Sequence, residues 1–311
     1  MSERQRLALD ELLRASPLDI GGDVAEQRDV FDRMLTATPL ASDVQLTPNT
    51  LGAVPVVDVI VDPMATDVVL FLHGGAFAIG SAATGVPLAA DVARRAKARA
   101  CSVEYRLAPE HPFPAGLQDA IEAYRALIAD VDPKHVSLVG ESAGGGLTIA
   151  TLLGIRDRGL PLPASAAVFS PWVDLTLSGQ SLSTKSHVDP VLTPAGLRVR
   201  ANDYARGTST GEASPLFTDL SGLPPLLIQV GSHEILLDDA TRLAARAAHY
   251  DVAVQLQVTP QVPHVFQGFA AILDEGDRAL DAAGSFLTHH FGAASLPSTR
   301  TPTMMDSPPA P

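Results

Sequence analysis

The sequence contains one cysteine, few basic residues and no long apolar run. Cys101 alone cannot form an internal disulfide, so nothing indicates an oxidising compartment. The 22 Lys and Arg residues are outnumbered by 35 Asp and Glu residues, which gives a formal net charge of −13 at pH 7. So acidic a chain lacks the basic surface that nucleic acid or an anionic membrane requires, and we expect neither as a partner.

The most apolar stretches are too short to cross a bilayer. Val68–Leu72 and Pro225–Val230 are examples, and both fall far below the roughly 20 residues that a membrane-spanning helix needs. The N-terminus is typical of an amphipathic helix with acidic residues among its apolar ones, and it does not resemble a secretory signal. We therefore expect no stable membrane insertion and a cytoplasmic protein.

Hydrophobic residues make up 46% of the chain and charged residues 18%, which is typical of a folded globular protein. Short β-branched or Leu-rich runs alternate with longer helical patterns, which predicts the α/β class with a mainly parallel sheet covered by helices on both faces. The predicted strands are Val56–Val61, Val68–His73, Ala100–Tyr105, Val136–Val139, Ala166–Ser170, Leu226–Val230 and Val254–Val258. The predicted helices are Thr84–Lys97, Gly116–Ala129, Ser142–Arg158, Leu236–Tyr250 and Gly276–Leu287.

Three segments fall outside this alternation. Residues 1–50 are predicted to form N-terminal helices, and residues 175–216 are a polar insertion within the sheet domain, which spans residues 51–292. Both segments are expected to cover the carboxyl ends of the strands as a cap, although a surface excursion without a role is the alternative. Residues 293–311 are rich in Pro, Ser and Thr and are predicted to be a disordered tail.

A candidate nucleophile lies at a strand-to-helix junction. The strand Val136–Val139 leads directly into the stretch GESAG at 140–144, and a helical run follows. This is the G-x-S-x-G pattern in the strand–turn–helix setting that exposes a reactive serine, here Ser142. The Ala143 amide then lies at a helix N-terminus, where it can stabilise a developing negative charge. A glycine-rich turn with an incidental serine is the alternative interpretation.

A second glycine-containing loop, HGGA at 73–76, follows the strand Val68–Leu72. Such a loop supplies backbone donors for an oxyanion hole, and we predict Gly74 and Gly75 as these donors. His73 is predicted to brace the loop through its ring nitrogens rather than to act as a base. A phosphate-binding loop is excluded, because no Lys and Ser or Thr follow at the required spacing.

The acid and base that would activate Ser142 are expected downstream, in the order carboxylate and then histidine. Glu234 follows the strand Leu226–Val230 in the stretch GSHEILLDD at 231–239, and we prefer it to Asp238, which fits the first turn of the next helix. His264 lies on the loop after the last strand and is the predicted general base. A purely structural histidine is the alternative, and no His or Cys pair has the spacing of a metal site.

These motifs together resemble the bacterial hormone-sensitive-lipase-like esterases. The resemblance is carried by HGGA at 73–76, YRLAPEHPFPA at 105–115, GESAGGG at 140–146 and the HVF that begins at His264. It implies an α/β-hydrolase fold, hydrolysis of short- or medium-chain acyl esters, a cap made of the N-terminal helices and the insertion, and a possible homodimer. Two positions depart from the family pattern, because Glu141 and Glu234 stand where Asp is commoner.

The sequence therefore predicts a serine esterase with an acyl-enzyme intermediate and no cofactor. An amidase or lactonase on the same triad, or a ligand-binding protein on an inactive scaffold, are the alternatives. Phe77, Trp172 and Phe266 are candidate pocket walls or core residues. A catalytic pair of Arg106 with Glu110 and His111 is less favoured than a loop lock, and Asp174 and the thiol of Cys101 are expected to have no chemical role.

Overall fold

An eight-stranded sheet forms the centre of the protein, in the order β1-β2-β4-β3-β5-β6-β7-β8. The computed structural model describes residues 2–37 and 39–292. The strands are β1 (Gln45–Leu51), β2 (Val54–Ile60), β3 (Val68–Leu72), β4 (Arg99–Val103), β5 (Val136–Glu141), β6 (Ser165–Phe169), β7 (Leu226–Gly231) and β8 (Val254–Thr259). Strand β2 pairs antiparallel with β1 and β4, and all other neighbours are parallel.

Helices cover both faces of this sheet, which confirms the predicted α/β architecture. They are α1 (Ser2–Arg14), α2 (Val24–Thr36), α3 (Ala82–Ala96), α4 (Ala115–Leu127), α5 (Ala143–Asp157), α6 (Ser181–Thr184), α7 (Pro194–Tyr204), α8 (Leu237–His249) and α9 (Asp274–His290). Within residues 2–37 and 39–292, none of these helices combines the length and apolarity that crossing a membrane requires.

Alternate side chains of each central strand enter different cores. Val68, Leu70 and Leu72 of β3 pack with α4, α5 and α8 in one cluster. Val69 and Phe71 point to the opposite face and pack with α3 and α9 in the other. Because both faces are buried, β3 is apolar throughout, and the same holds for most of β5, β6 and β7. This continuous apolarity is what made these strands predictable.

Strand β1 was not predicted, and it lies inside the range expected to form N-terminal helices. Its side chains are exposed at every position from Gln45 to Thr50, and it contains Pro48. It is held by backbone pairing with β2 at the edge of the sheet, so it carries no hydrophobic pattern that a sequence could reveal. The N-terminal helices therefore end at Thr36, well before residue 50. The predicted tail, residues 293–311, lies outside the described residues.

The N-terminal segment and the insertion pack against each other. Arg200 of α7 is only 2% exposed, and its guanidinium donates hydrogen bonds to the carbonyl oxygens of Ile20, at 2.6 Å, and Gly22. Asp203 pairs with the same guanidinium at 2.7 Å. A buried, fully bonded arginine fixes the two segments relative to each other.

Candidate active site

Four adjacent parallel strands deliver four polar side chains to one edge of the sheet. Ser142 follows β5, Ser170 follows β6, Glu234 follows β7 and His264 follows β8. Because the carboxyl ends of parallel strands lie together, residues separated by more than a hundred positions in sequence meet here. The three predicted catalytic residues, Ser142, Glu234 and His264, therefore lie at this edge of the sheet.

Ser142 occupies a sharp turn between β5 and α5. Its backbone has φ 55° and ψ −122°, an unfavourable conformation for a residue with a side chain. The turn is so tight that a side chain at Gly144 has no room, because a Cβ atom there would lie 2.0 Å from the carbonyl oxygen of Leu72. The strained turn raises the hydroxyl above the sheet, where its side chain can contact a substrate.

The structure brings the three predicted site residues into one hydrogen-bonded chain. His264 Nε2 lies 2.9 Å from Ser142 Oγ. On the other side of the ring, His264 Nδ1 lies 2.7 Å from Glu234 Oε2. The residues are between 0% and 8% exposed, so the chain is largely shielded from water. The imidazole can accept the Ser142 proton while Glu234 fixes its tautomer.

Two hydrogen-bond donors hold the Glu234 carboxylate. The sequence did not show that these two donors share one acceptor. Its Oε1 accepts hydrogen bonds from the Ser170 hydroxyl at 2.8 Å and from the Gly231 amide at 2.7 Å. The Ser170 Oγ also accepts from the amide of Val265, at 3.0 Å. Ser170 thus joins the Glu234 loop to the His264 loop. Its position at the end of β6 was visible in the sequence, but its partners were not.

The local charges make His264 more basic than an ordinary histidine. Burial lowers the pKa of His264, whereas its hydrogen bond with Glu234 and the Glu234 charge raise it. The carboxylates of Asp189 and Glu141 raise it further, and the net result is a pKa above the ordinary value of 6.5. The site therefore stabilises the imidazolium that forms when Ser142 gives up its proton.

The other acidic residues of this region have different partners. Asp238 lies in the first turn of α8, as predicted, and its carboxylate accepts from the Ser181 amide at 2.9 Å. Asp239 accepts from the amides of Val173 and Asp174, and burial raises the pKa of Asp239 to about 7. Neither carboxylate bonds to His264, so Glu234 is the carboxylate that the geometry selects.

The 73–76 loop borders the cavity that contains Ser142, and one prediction for this loop is wrong. The Gly74 amide donates to the Glu141 carboxylate, so it is engaged and cannot serve as an oxyanion-hole donor as predicted. Gly75, with φ 107°, and Ala76, with φ 51°, line the same cavity as Ser142. Among the residues that the structure describes, nothing accepts a hydrogen bond from the amides of Gly75, Ala76 or Ala143.

His73 supports this loop from below. Its ring stacks on Tyr105 with centroids 4.3 Å apart, and its Nδ1 lies 2.7 Å from the Gly74 carbonyl oxygen. The Tyr105 hydroxyl donates to the His73 carbonyl at 2.6 Å. Burial lowers the pKa of His73 to about 4, against the effect of the Gly74 contact, so the ring is neutral at pH 7. This arrangement fits a loop brace rather than a base.

Above Ser142 and His264 lies a cavity of about 180 Å³ with mostly apolar walls. The N-terminal segment contributes Leu13, Leu18, Ile20, Phe31, Met34 and Leu35, and the insertion contributes Val191, Leu192 and Leu197. Residues of α3, including Thr84, Pro87 and Leu88, form much of the opposite wall. Asp91 and Glu141 are the carboxylates among the cavity's lining residues. The cavity suits a small, largely apolar group.

The three aromatic residues considered as pocket walls do not line this cavity, which corrects that prediction. Phe77 stacks on Tyr204 with centroids 3.9 Å apart and lies 5.6 Å from Trp172. Phe266 packs in a separate cluster that includes Leu9. Their large apolar surfaces are more fully removed from water in these cores than at a cavity wall.

Other residues considered from the sequence have structural partners. Arg106 pairs with Asp119 at 2.8 Å, and Glu110 pairs with Arg28 of α2 at 2.7 Å, so Arg106 and Glu110 form no pair. The Cys101 thiol donates to an Asp58 carboxylate oxygen at 3.0 Å, and burial raises the pKa of Cys101 to about 12. In the part of the chain that the structure describes, no group of three or more His, Cys, Asp and Glu side chains is arranged to bind a metal ion.

Comparisons with known sequences extend over this site. Residues 69–268 match a protein family described as alpha/beta hydrolase fold. An acetyl-hydrolase of Streptomyces hygroscopicus is 43% identical over 221 residues, which cover 70% of this chain and 74% of that protein. An esterase of Acinetobacter venetianus is 34% identical over 265 residues, which cover 84% of this chain and 88% of that protein.

Solved structures resemble the whole described fold. An esterase from the bacterial hormone-sensitive lipase family is 39% identical with a TM-score of 0.88, and the match covers 93% of this chain and 99% of that one. A hormone-sensitive lipase from a metagenome library is 35% identical with a TM-score of 0.87, covering 92% and 98% respectively. The family match, over residues 69–268, includes the segments that carry Ser142, Glu234 and His264.

Proposed function

The chain belongs to the α/β-hydrolase family, and on that basis we propose that it is a serine carboxylesterase acting on short- to medium-chain acyl esters. Ser142 is the nucleophile, His264 the general base and Glu234 the acid that orients the histidine. The observation that supports this most is the unbroken chain of hydrogen bonds from Ser142 Oγ through the imidazole to Glu234, at 2.9 and 2.7 Å. Relatives of this chain are named esterase and acetyl-hydrolase.

The reaction proceeds in two halves on the same residues. His264 removes the Ser142 proton as Oγ attacks the ester carbonyl carbon, and a tetrahedral intermediate forms. The imidazolium then protonates the leaving alcohol, and the acyl group remains on Ser142. Water enters, His264 removes its proton, and a second tetrahedral intermediate collapses to release the carboxylic acid and regenerate Ser142. No step requires a cofactor.

The oxyanion of each intermediate is stabilised by backbone amides of Gly75, Ala76 and Ala143. Their amides have no competing acceptor within the described residues, and Ala143 lies at the N-terminus of α5, where the helix dipole favours negative charge. Losing one such donor typically costs about 10²- to 10³-fold in kcat. Gly74 contributes indirectly, because its bond to Glu141 positions the loop.

The cap consists of the N-terminal helices and the insertion, since both supply apolar side chains to the roof of the cavity. A cavity of about 180 Å³ admits a short acyl chain and excludes a long one without rearrangement of this roof. The same triad would serve an amidase or a lactonase, but no feature of the cavity favours either. A cytoplasmic location and a homodimer remain predictions of the sequence and of the family resemblance.

The rate of hydrolysis of p-nitrophenyl esters with acyl chains of rising length tests this proposal. We expect the highest kcat/KM at about four to eight carbons and a steep fall for longer chains, because a cavity of about 180 Å³ holds only a short acyl chain. Ser142→Ala provides the blank, and circular dichroism shows whether that variant stays folded. Equal rates for the wild type and Ser142→Ala would refute an esterase that uses this serine.

A further inference from the structure

A carboxylate from the insertion accepts three backbone hydrogen bonds beside the triad. Asp189 is 6% exposed, and its Oδ1 accepts from the amides of Val191 and Leu192, each at 2.8 Å. Its Oδ2 accepts from the amide of Ile235, also at 2.8 Å. Hydrogen bonds from three amides to one buried carboxylate are strong, because the acceptor is charged and water does not compete.

These amides belong to two different parts of the proposed site. Val191 and Leu192 contribute side chains to the cavity above Ser142. Ile235 directly follows Glu234 in the chain, and its own side chain is fully buried. A single side chain therefore ties the wall of the cavity to the loop that carries the triad acid. A shift of either segment would break a hydrogen bond to Asp189.

Asp189 also contributes charge to the base. The carboxylates whose charges raise the pKa of His264 are Glu234 from the loop after β7, Asp189 from the insertion and Glu141 from the end of β5. Burial raises the pKa of the Asp189 carboxyl above its ordinary value, although the positive charge of His264 and the three amides lower it. The cation that faces Asp189 from α1 is Arg14, whose guanidinium donates to the neighbouring carbonyl of Val188 at 3.2 Å.

We propose that Asp189 is a positioning residue of the reaction: it fixes the Glu234 loop against the cavity wall and supplies a further negative charge that stabilises the His264 imidazolium. This inference rests on the proposed esterase function. It assigns to the insertion a part in the chemistry as well as in covering the cavity. Asp189 itself does not touch the reacting atoms.

Asp189→Asn separates this role from general stability. The asparagine side chain has nearly the same shape, but it offers one acceptor oxygen in place of two and carries no charge. Its NH2 group must therefore face either the Ile235 amide or the amides of Val191 and Leu192. We expect kcat for p-nitrophenyl butyrate to fall about 10- to 100-fold, because the Glu234 loop loses its anchor. The change in KM should be smaller, because the N-terminal segment and α3 still supply most of the residues that line the cavity.

The pH dependence of kcat/KM would not change if Asp189 had only a structural role. The neutral form of His264 is the active base, so kcat/KM rises with pH through the pKa of His264. Removing the Asp189 charge lowers that pKa, and the rising limb of the Asp189→Asn profile should move to lower pH. Asp189→Glu keeps the charge but not the spacing, so it should keep the limb near the wild-type position while kcat still falls.

Asp238→Asn is the matched control. Asp238 also accepts an amide hydrogen bond between the insertion and the region after Glu234, but it is absent from the charges that face His264. The rising limb of the Asp238→Asn pH profile should stay at the same pH as in the wild type. If Asp189→Asn keeps both the wild-type kcat and the wild-type limb, the inference is wrong while the esterase proposal stands. If the wild type itself neither hydrolyses esters nor reacts with a fluorophosphonate, both are wrong.

Discussion

The orientation of the His264 ring depends on Glu234. One Glu234 oxygen holds His264 Nδ1, and the other is fixed by Ser170 and Gly231. Glutamate is one methylene longer than the aspartate that the family resemblance implies at this position. The extra length does not loosen the site, because both carboxylate oxygens have short, well-defined partners.

Glu234→Gln is therefore expected to lower kcat by about 10³- to 10⁴-fold, because the amide can hold His264 in the wrong tautomer and leaves the imidazolium without a counter-charge. Asp238→Asn makes the same chemical change four positions later, where the side chain bonds to the Ser181 amide and not to the histidine. It should retain most of the activity. Steady-state kinetics with p-nitrophenyl butyrate compares the two, and the opposite ranking would mean that the acid assignment is wrong.

Ser170→Ala removes the hydroxyl that joins the acid loop to the base loop. The substitution leaves the Val265 amide without its acceptor and Glu234 with one donor fewer. We expect kcat to fall about 10- to 100-fold with a smaller change in KM, because Ser170 itself is not among the residues that line the cavity. Ser170 has φ 47°, so Ser170→Gly, which relieves that backbone strain, is the control. Ser170→Gly also lacks the hydroxyl. Full activity in this variant would show that a loss of activity in Ser170→Ala comes from the backbone and not from the missing hydroxyl.

The sequence proposed Ser142 and His264 as a pair, and the structure brings them within hydrogen-bonding distance, whereas the residues that hold them could not be predicted. Ser142 lies in a motif whose spacing reflects a local turn, and His264 follows the last apolar strand. Ser170 and Asp189 act through contacts between distant loops, which no local pattern reports. The prediction of Gly74 as a donor failed for the same reason, because the Glu141 side chain reaches back from the next strand to take its amide.

The loop after β3 has little freedom to change. A Cβ atom at Gly75 would lie 2.1 Å from the carbonyl oxygen of Ile79, and the backbone there has φ 107°. Gly75→Ala should therefore displace the loop and its amides and lower kcat by about 10²-fold or more. Gly211→Ala, where the nearest atom lies at 3.9 Å, is the control. Steady-state kinetics and thermal unfolding of both variants test this expectation. A wild-type kcat in Gly75→Ala would contradict it.

The buried central strands were predictable from the sequence, whereas the exposed edge strand β1 was not. The central strands β3, β5, β6 and β7 are apolar on both faces, so their sequence pattern is a direct consequence of their position. Strand β1 is fixed by backbone hydrogen bonds at the sheet edge and shows no pattern. Helix α7 lies within the polar insertion, where the sequence predicted only a covering segment.

The complete molecule creates the site by combining a sheet with a roof made from two remote segments. The sheet order places the ends of β5, β6, β7 and β8 side by side, which sets the triad. The roof joins residues before the sheet to the insertion through Arg200, and Asp189 links that roof to the acid loop. The resemblance predicted the α/β-hydrolase fold, which the matching family and structures confirm. The particular contacts of Arg200 and Asp189 could not be predicted from the sequence.

Reaction of the protein with a fluorophosphonate, followed by mass spectrometry of the intact protein and its peptides, tests the central claim most directly. The reagent forms a covalent bond only with a serine whose proton is removed by a positioned base. We predict one adduct per chain, located on Ser142, with no adduct in Ser142→Ala and strongly slowed labelling in His264→Ala. An unlabelled wild-type protein, or an adduct on a different serine, would contradict the assignment of Ser142 as the nucleophile.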